Sequence, residues 1–271
     1  MKSKYGLWLF IVVFYKPFVL LGFETDEITI FTEHFPPYNY ILKNDIVGIN
    51  HDIVARACHL AEIKCVFKLY PWQRAMALTK SKRFAGLIST SRLAEREEFF
   101  HWVGPLISSP ACLYQLVDRT DIHIFNHQQL KNYTVGLQKG DVYEHLLKSW
   151  GLEENKHYIN YSEKFGEINA FKLGKLDLFI ASANTLQFHI DNNRLKKNEV
   201  KPAYYINDEK LLGNYLALNN DMPIEIVKKL QQGIDMMRLS GEITEIKKQY
   251  LPRAKSDISE QEFVLEKRCL Y

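Results

Sequence analysis

Strand-like and helix-like segments alternate along this chain in two successive series, and this alternation restricts the fold more than any other feature. The first series consists of a strand around Ile28, a helix from Ile49 to Leu60, a strand from Cys65 to Leu69, a helix that Pro71 opens and a strand from Phe84 to Ile88. Ile28 and Ile30 alternate with polar residues, whereas the apolar residues of the first helix recur every three or four positions. The order β-α-β-α-β is typical of a parallel sheet covered by helices.

The second series begins at Tyr133 and has the same order. It consists of a strand and glycine turn in TVGLQKG, a helix that ends at Gly151, a strand from Tyr158 to Tyr161, a helix from Glu163 to Leu173 and a strand from Leu176 to Ala181. A further helical stretch runs from Ile224 to Tyr250, with a break at Ser240-Gly241. No low-complexity linker divides the two series, so we predict two α/β units joined by crossing strands, which 271 residues can supply.

The first 22 residues, MKSKYGLWLFIVVFYKPFVLLG, have the pattern of a secretory signal peptide. A basic start precedes an apolar stretch from Leu7 to Tyr15, which is too short to span a bilayer. An uncleaved membrane anchor is the alternative, because Leu20 and Gly22 make an indifferent cleavage site. Three lysines in this segment, which holds no acid, account for the formal charge of +3. We predict a monomeric periplasmic protein, whose neutral remainder has no overall attraction to nucleic acid.

The four cysteines and nine histidines show no metal-binding spacing, and no Ser-His-Asp or Cys-His arrangement is recognisable. These patterns predict no metal, no cofactor and no catalytic residue. In an oxidising compartment Cys58 and Cys65 can form a disulfide, and two buried thiols are the alternative. Beyond Pro252 the sequence is charged and has little to bury, so we predict that residues 253–271 form a loosely held extension.

Three hydroxyl residues, Ser89, Thr90 and Ser91, end the last strand of the first series. Open α/β sheets bind ligands in the crevice beyond the carboxyl ends of their strands. Arg96 follows five residues after Ser91, and a planar guanidinium can hold a carboxylate through two parallel hydrogen bonds. A solvated turn with weak Arg–Glu pairs is the alternative interpretation.

Six motifs in a fixed order resemble those of one known family. ITIFTEHFPPYNY with VGINHDIV resembles its opening strand, aromatic wall and first helix, and YPWQRAMALTKSKRFAGLIS resembles its next strand, helix and strand. Arg96 followed by WVGPL resembles its "R…FSxPY" signature, and GLQKGDVYEHL, FKLGKLDLFIAS and GNYLALNND resemble its second lobe and return crossing. The family is that of the bacterial extracellular solute-binding proteins of family 3, the amino-acid-binding receptors of ABC transporters. The resemblance covers roughly residues 27–252.

The resemblance implies a two-lobed α/β fold of the type II periplasmic-binding-protein kind, each lobe a sheet flanked by helices, with crossing hinge strands. Lobe 1 would comprise residues 23–114 and 214–252, and lobe 2 residues 115–213. The implied function is non-catalytic capture of a small solute by lobe closure, with the membrane subunits of an ABC transporter as partner. Alternatives are a cyclic-acid dehydratase, with Glu33 or Asp141 as proton donor, and a sensor input domain acting through a partner.

The resemblance also implies a ligand site, carried over position by position. Its residues are Phe35, Tyr38, Trp72, Ser89, Ser91, Arg96, Gly140, Asp141 and Ser182. Phe35 and Trp72 would form walls, Ser89 and Ser91 would hydrogen-bond the ligand and Arg96 would hold its carboxylate. Backbone N–H groups of Gly140 and Asp141 would face it from a helix start.

Two departures from the family's pattern concern an ammonium group on the ligand. Ser182 stands where the family has an acidic residue that receives this group, and Asp141 stands where it has a hydroxyl residue. The ligand is therefore either a simple carboxylate, with Asp141 turned to solvent, or an amino-acid-like zwitterion, with Asp141 or Glu33 as the ammonium partner. We favour the zwitterion, because Phe35 and Trp72 could also stack beside a cation.

Overall fold

The structure is a computed structural model, and it describes residues 27–108, 110–208, 211, 213–251 and 269. Within these residues the strands are β1 (Ile28–Thr32), β2 (Tyr40–Leu42), β3 (Asp45–Val47), β4 (Cys65–Leu69), β5 (Ala85–Thr90), β6 (Phe100–Val103), β7 (Ala111–Leu116), β8 (Val135–Gln138), β9 (Tyr158–Tyr161), β10 (Leu178–Ser182), β11 (Val200–Ile206) and β12 (Tyr215–Asn219). The helices are α1 (Ile49–Leu60), α2 (Trp72–Ser81), α3 (Val142–Ser149), α4 (Ile168–Lys172), α5 (Ala183–Asp191), α6 (Ile224–Leu239) and α7 (Glu242–Tyr250), with short 3-10 helices at Ala94–Phe99 and His127–Asn132. The predicted signal peptide, residues 1–22, lies outside the described residues.

The strands form two five-stranded sheets, which confirms the two-lobed α/β fold. The first sheet has the order β4-β1-β5-β12-β6, with β1, β4 and β5 parallel and β12 antiparallel to both of its neighbours. The second has the order β11-β7-β10-β8-β9, with β8, β9 and β10 parallel and β7 antiparallel to β10 and β11. We call the first sheet with α1, α2, α6 and α7 the first lobe, and the second sheet with α3, α4 and α5 the second lobe.

The chain crosses from the first sheet to the second between β6 and β7, and it returns between β11 and β12. The sequence analysis placed residues up to 114 in the first lobe, whereas β7 pairs from Ala111 onward in the second sheet. The first crossing therefore lies a few residues earlier than predicted. An apolar antiparallel strand such as β7 carries no periodic signal that assigns it to one sheet or the other.

Gly48 holds the loop that joins β1 to β2 against the start of α1. Its φ of 134° is one that residues with a Cβ rarely adopt, and a Cβ here would collide with the backbone of Tyr38. The amides of Asn50 and His51 both donate to the Tyr38 carbonyl, at 2.9 and 3.2 Å. This contact fixes Tyr38 relative to the first sheet.

One helix in the second lobe is shorter than predicted. The sequence analysis expected a helix from Glu163 to Leu173, but α4 begins only at Ile168. The preceding residues form turns, in which Phe165 adopts a left-handed φ of 64° and Gly166 offers little helix propensity. As a result Lys164 lies in a turn beyond the end of β9 rather than on a helix surface.

Two disulfides connect the four cysteines. Cys58 and Cys65 are bonded (S–S 2.07 Å), so the end of α1 is joined to the start of β4. Cys112 of β7 is bonded to Cys269 (S–S 1.97 Å), a pairing that the sequence analysis did not anticipate. Cys269 is fully buried, and its carbonyl accepts a hydrogen bond from the Tyr114 hydroxyl at 2.7 Å.

At Cys269 the prediction of a loosely held extension is therefore wrong, because this residue is covalently attached to the core of the second lobe. The partners are separated by 157 positions, so no local spacing could indicate the pairing. No helix in the described part of the chain is both long and apolar enough to cross a membrane.

Candidate functional site

A cavity between the lobes lies at the carboxyl ends of parallel strands from both sheets. Glu33 and Ser91 follow β1 and β5 of the first sheet, and Asp141 and Ser182 come from the ends of β8 and β10 in the second. The cavity has a volume of about 40 Å³. Eight of the nine residues predicted for the ligand site line this cavity: Phe35, Tyr38, Trp72, Ser89, Ser91, Arg96, Asp141 and Ser182.

Arg96 is buried (6% exposed) in the 3-10 helix after β5, with its guanidinium carbon 5.5 Å from the centre of the Trp72 ring. Its Nη1 donates to the Ser91 carbonyl at 3.0 Å, which uses one of the five guanidinium N–H donors. Burial lowers the pKa of Arg96, and the nearby carboxylates of Asp141 and Glu95 offset only part of that effect. No carboxylate in the described ranges forms an ion pair with Arg96, so a ligand carboxylate is the natural partner for it.

Gly140 is the one predicted site residue that does not line the cavity, and its role differs from the predicted one. Its amide donates to Glu144 Oε2 at 2.5 Å, so this donor is already bound within the second lobe. Its carbonyl accepts from Trp72 Nε1 at 3.1 Å. The amide of Asp141 also has an acceptor, the Gln138 carbonyl at 3.2 Å. In this closed arrangement the expected pair of ligand-facing amides is therefore occupied.

Side chains from the two lobes bridge the cleft, so the structure represents a closed state. The Tyr38 hydroxyl lies 2.8 Å from Ser182 Oγ, and the Phe35 ring centre lies 6.0 Å from that of Phe165. Further bridges are Trp72 to Gly140, Gln73 to Lys139 (3.4 Å), Gln138 to Glu33 (2.8 Å) and His145 to Glu95 (3.0 Å). These polar contacts form only when the lobes meet, and they can therefore stabilise the closed state.

A buried charge cluster fills the second-lobe side of the cavity. Lys164 Nζ lies 2.7 Å from Asp141 Oδ2 and 3.4 Å from Glu33 Oε1, and all three side chains are at least 88% buried. Burial would lower the pKa of Lys164, but Asp141 and Glu33 together outweigh burial and raise it. Burial raises the pKa of Glu33, with Lys164 opposing and Asp141 adding to the effect. The described residues contain no group of three or more metal-ligating side chains arranged to hold a metal ion.

The sequence analysis missed Lys164. It lay within the expected helix from Glu163 to Leu173, where a lysine next to Glu163 has the pattern of a solvated helix face. Glu33 was named only as a candidate proton donor or ammonium partner. No spacing rule connects Glu33, Asp141 and Lys164, because three separate loops bring them together.

Ser89 and Ser91 differ in how much of their hydrogen-bonding capacity is already used within the protein. Ser89 Oγ donates to Asn39 Oδ1 and accepts from Asn50 Nδ2 at 2.9 Å, so one acceptor position is left for a ligand. Its φ of 61° is uncommon for a residue other than glycine and turns the chain at the end of β5. Ser91 is half-buried at the cavity wall. The predicted ligand hydrogen bond is therefore better suited to Ser91.

Glu167 is a buried acid next to this cluster. Only 2% of the residue is exposed, its Oε2 has no hydrogen-bond partner in the described part of the chain, and the same is true of Gln138 Oε1. Both residues line a small cavity that also touches Lys164 and Asp141. Burial raises the pKa of Glu167 to about 7, despite the opposing charge of Lys164.

Glu167→Gln is expected to be more stable than the unsubstituted protein at pH 8, by up to about 3 kcal/mol, and equal to it near pH 4.5. The folded pKa of about 7 lies above the ordinary value of 4.5, so the folded state holds the proton more tightly. Its stability therefore falls as pH rises through this window, at about 1.4 kcal/mol per unit of pKa difference. Urea denaturation at pH 4.5, 6 and 8 measures the difference. Glu163→Gln, an exposed acid in the same turn, is the control, and equal pH profiles for the two variants would contradict the assignment.

The fold and the cavity together define a class of protein. A protein of two α/β lobes, linked by two crossing segments and enclosing a polar cavity at the carboxyl ends of their strands, is a solute-binding protein of the periplasmic-binding-protein kind. The family model for bacterial extracellular solute-binding proteins, family 3, matches residues 28–253. The chain belongs to this family, and it has a solute-binding role.

Similar proteins are named for binding amino acids or for sensing. An arginine-binding periplasmic protein of Mannheimia haemolytica is 25% identical over 166 residues, 60% of this chain and 65% of that protein, so the match spans less than two thirds of the relative. A solved arginine-, lysine- and histidine-binding protein of Geobacillus stearothermophilus has 18% identity and a TM-score of 0.70, covering 85% of this chain and 97% of the other. A histidine kinase sensor domain similar to periplasmic binding proteins has 17% identity and a TM-score of 0.71, covering 83% and 95%. These two structures share the fold.

Proposed function

We propose that this protein captures a small, carboxylate-bearing solute of amino-acid-like size in the cleft between its lobes. The observation that carries the proposal is Arg96, a buried guanidinium that faces the cavity with no ion-pair partner in the described residues. A buried cation without a counter-charge is costly, and a bound carboxylate removes that cost through paired hydrogen bonds. Trp72 and Phe35 form the walls on either side of the solute.

Closure of the lobes completes the site. In the open state water reaches Arg96, and on closure the bridges from Tyr38 to Ser182 and from Trp72 to Gly140 shut the cavity. Exclusion of water lowers the local dielectric and strengthens the contact between guanidinium and carboxylate. Solute binding and closure are therefore coupled, because each makes the other more favourable.

A periplasmic location and delivery to the membrane subunits of an ABC transporter are part of the proposal. Two disulfides suit an oxidising compartment, and the relative from Mannheimia haemolytica is named as a periplasmic protein. A non-catalytic role is supported by the acids in the cavity. Glu33 and Asp141, the candidate proton donors of a dehydratase, are both engaged by Lys164, at 3.4 and 2.7 Å, rather than free to reach a ligand.

A thermal-shift screen of small carboxylates tests this function. A true ligand at 100 times its Kd adds about 2.7 kcal/mol to the stability of the folded state. We expect at least one carboxylate to raise the unfolding temperature of the unsubstituted protein and of Arg92→Ala. Arg92 lies in the same segment as Arg96 but is exposed and pairs with Glu97 outside the cavity. Stabilisation by none of the carboxylates, or only by compounds that lack a carboxylate, would contradict the proposal.

A further inference from the structure

The position of Lys164 bears on which carboxylates can enter, and the argument rests on the proposed function. Its ammonium lies 2.7 Å from Asp141 Oδ2, 3.4 Å from Glu33 Oε1 and 4.0 Å from the centre of the Phe35 ring. Two carboxylates and an aromatic face are the groups that an ammonium group on a ligand would need. Lys164 already contacts all three of these groups.

The charges around the cavity support the same interpretation. Four side chains of basic or acidic residues line it in the described part of the chain: Arg96 and Lys164 are basic, and Asp141 and Glu33 are acidic. Both acids are paired with Lys164, and neither forms an ion pair with Arg96. Asp141 has the closer contact with Lys164, and burial raises the pKa of Glu33, which favours its uncharged form. The charge that lacks a partner is therefore the guanidinium, so the site has a place for one negative charge on a ligand but none for a positive charge.

Adding a second cation would be unfavourable. A ligand ammonium at the Asp141 carboxylate would stand within a few ångströms of Lys164 Nζ, where the two like charges repel strongly because little water is present to screen them. The alternative is expulsion of Lys164, whose side chain is only 8% exposed. The remaining volume of about 40 Å³ also favours a compact solute.

We propose that Lys164 is a built-in cation that fills the ammonium position of the site and so determines specificity. The ligand is then a small carboxylate that carries no ammonium group, held by Arg96 beside the cluster of Lys164, Asp141 and Glu33. The zwitterionic ligand that the sequence favoured is replaced by the other of its two alternatives. Asp141, which was expected to be available to the ligand, instead forms an ion pair with Lys164.

Matched pairs of probes that differ only by an α-ammonium group test this inference. The pairs are propionate with alanine, 3-hydroxypropionate with serine and succinate with aspartate, measured by isothermal titration calorimetry. In the unsubstituted protein we expect at least one member without the ammonium group to bind ten times or more tighter than its amino partner. Lys164→Met removes the charge but keeps an apolar stem over Phe35, and it should reverse this preference by exposing Asp141 and Glu33. Lys175→Met, which removes an exposed charge from the same lobe away from the cleft, should not change it.

The outcomes separate the two proposals. If an amino acid binds the unsubstituted protein as tightly as its partner, and Arg96→Ala removes that binding, the proposed function stands and the role of Lys164 is refuted. An unchanged preference in Lys164→Met also refutes it. If Lys164→Met does not fold, the preference of the unsubstituted protein within each probe pair still decides whether the site excludes an ammonium group. Binding of no probe in the three pairs would count against both proposals.

Discussion

Arg96→Ala is expected to weaken binding of the carboxylate ligand by roughly thirtyfold to several thousandfold while leaving the fold nearly intact. Removing one partner of a buried charge pair costs about 2–5 kcal/mol of affinity, and each 1.4 kcal/mol is a factor of ten. The fold should survive because the only hydrogen bond of the guanidinium in the described residues is to the Ser91 carbonyl. Removal of a buried charge that lacks an ion-pair partner can even raise stability in the absence of ligand. Calorimetric titration and a thermal scan without ligand measure the two effects.

Two further variants make this test specific. Arg92→Ala removes a guanidinium four positions away that pairs with Glu97 in solvent, so ligand affinity should stay within a factor of about two. Arg96→Lys keeps the charge but loses the planar fork, so its affinity should fall between those of Arg96→Ala and the unsubstituted protein. A collapse of the unfolding temperature in Arg96→Ala, with normal affinity in the remaining folded fraction, would make Arg96 a structural residue.

Residues at strand ends were predictable from the sequence, and residues in turns were not. Ser89 and Ser91 lie at the end of an apolar strand whose carboxyl end must lie at the edge of a parallel sheet, so the pattern made them candidates for the cavity. Arg96 was favoured over a solvated turn only through the resemblance to the family. Phe35 and Trp72 came from the resemblance to the family. Lys164 had neither kind of signal, because its burial depends on closure of the two lobes.

The elements of the fold also divide into those that local sequence patterns predicted and those that they did not. The parallel strands β1, β4, β5, β8 and β9 have periodic patterns and helices between them, and all were expected. The exact position of the crossing to β7 and the pairing of β7 with β11 were not expected, because antiparallel strands far apart in sequence have no local pattern that pairs them. Cys112 and Cys269 are the extreme case, because their pairing depends wholly on tertiary structure.

Replacing both Cys112 and Cys269 by serine is expected to lower the free energy of unfolding by about 5 kcal/mol, the largest stability loss that we predict. A disulfide limits the conformations of the unfolded chain, and in the chain-entropy description the effect grows with the logarithm of the loop it closes. This pair closes a loop across 157 positions, against 7 for Cys58 and Cys65. Urea denaturation without reductant measures the loss.

The double replacement of Cys58 and Cys65 by serine is the matched control, since it also removes one disulfide, but one that closes a short loop. The same chain-entropy description gives about 2.5 kcal/mol for it, half of the loss for the long loop. The carbonyl of Cys269 also accepts a hydrogen bond from the buried Tyr114 hydroxyl. If Cys269 leaves the second lobe, that hydroxyl loses this acceptor, which adds to the loss of stability. If the two double variants lose equal stability, loop length does not set the effect. If the Cys112 and Cys269 variant loses less than the control, Cys269 does not anchor the chain to the second lobe.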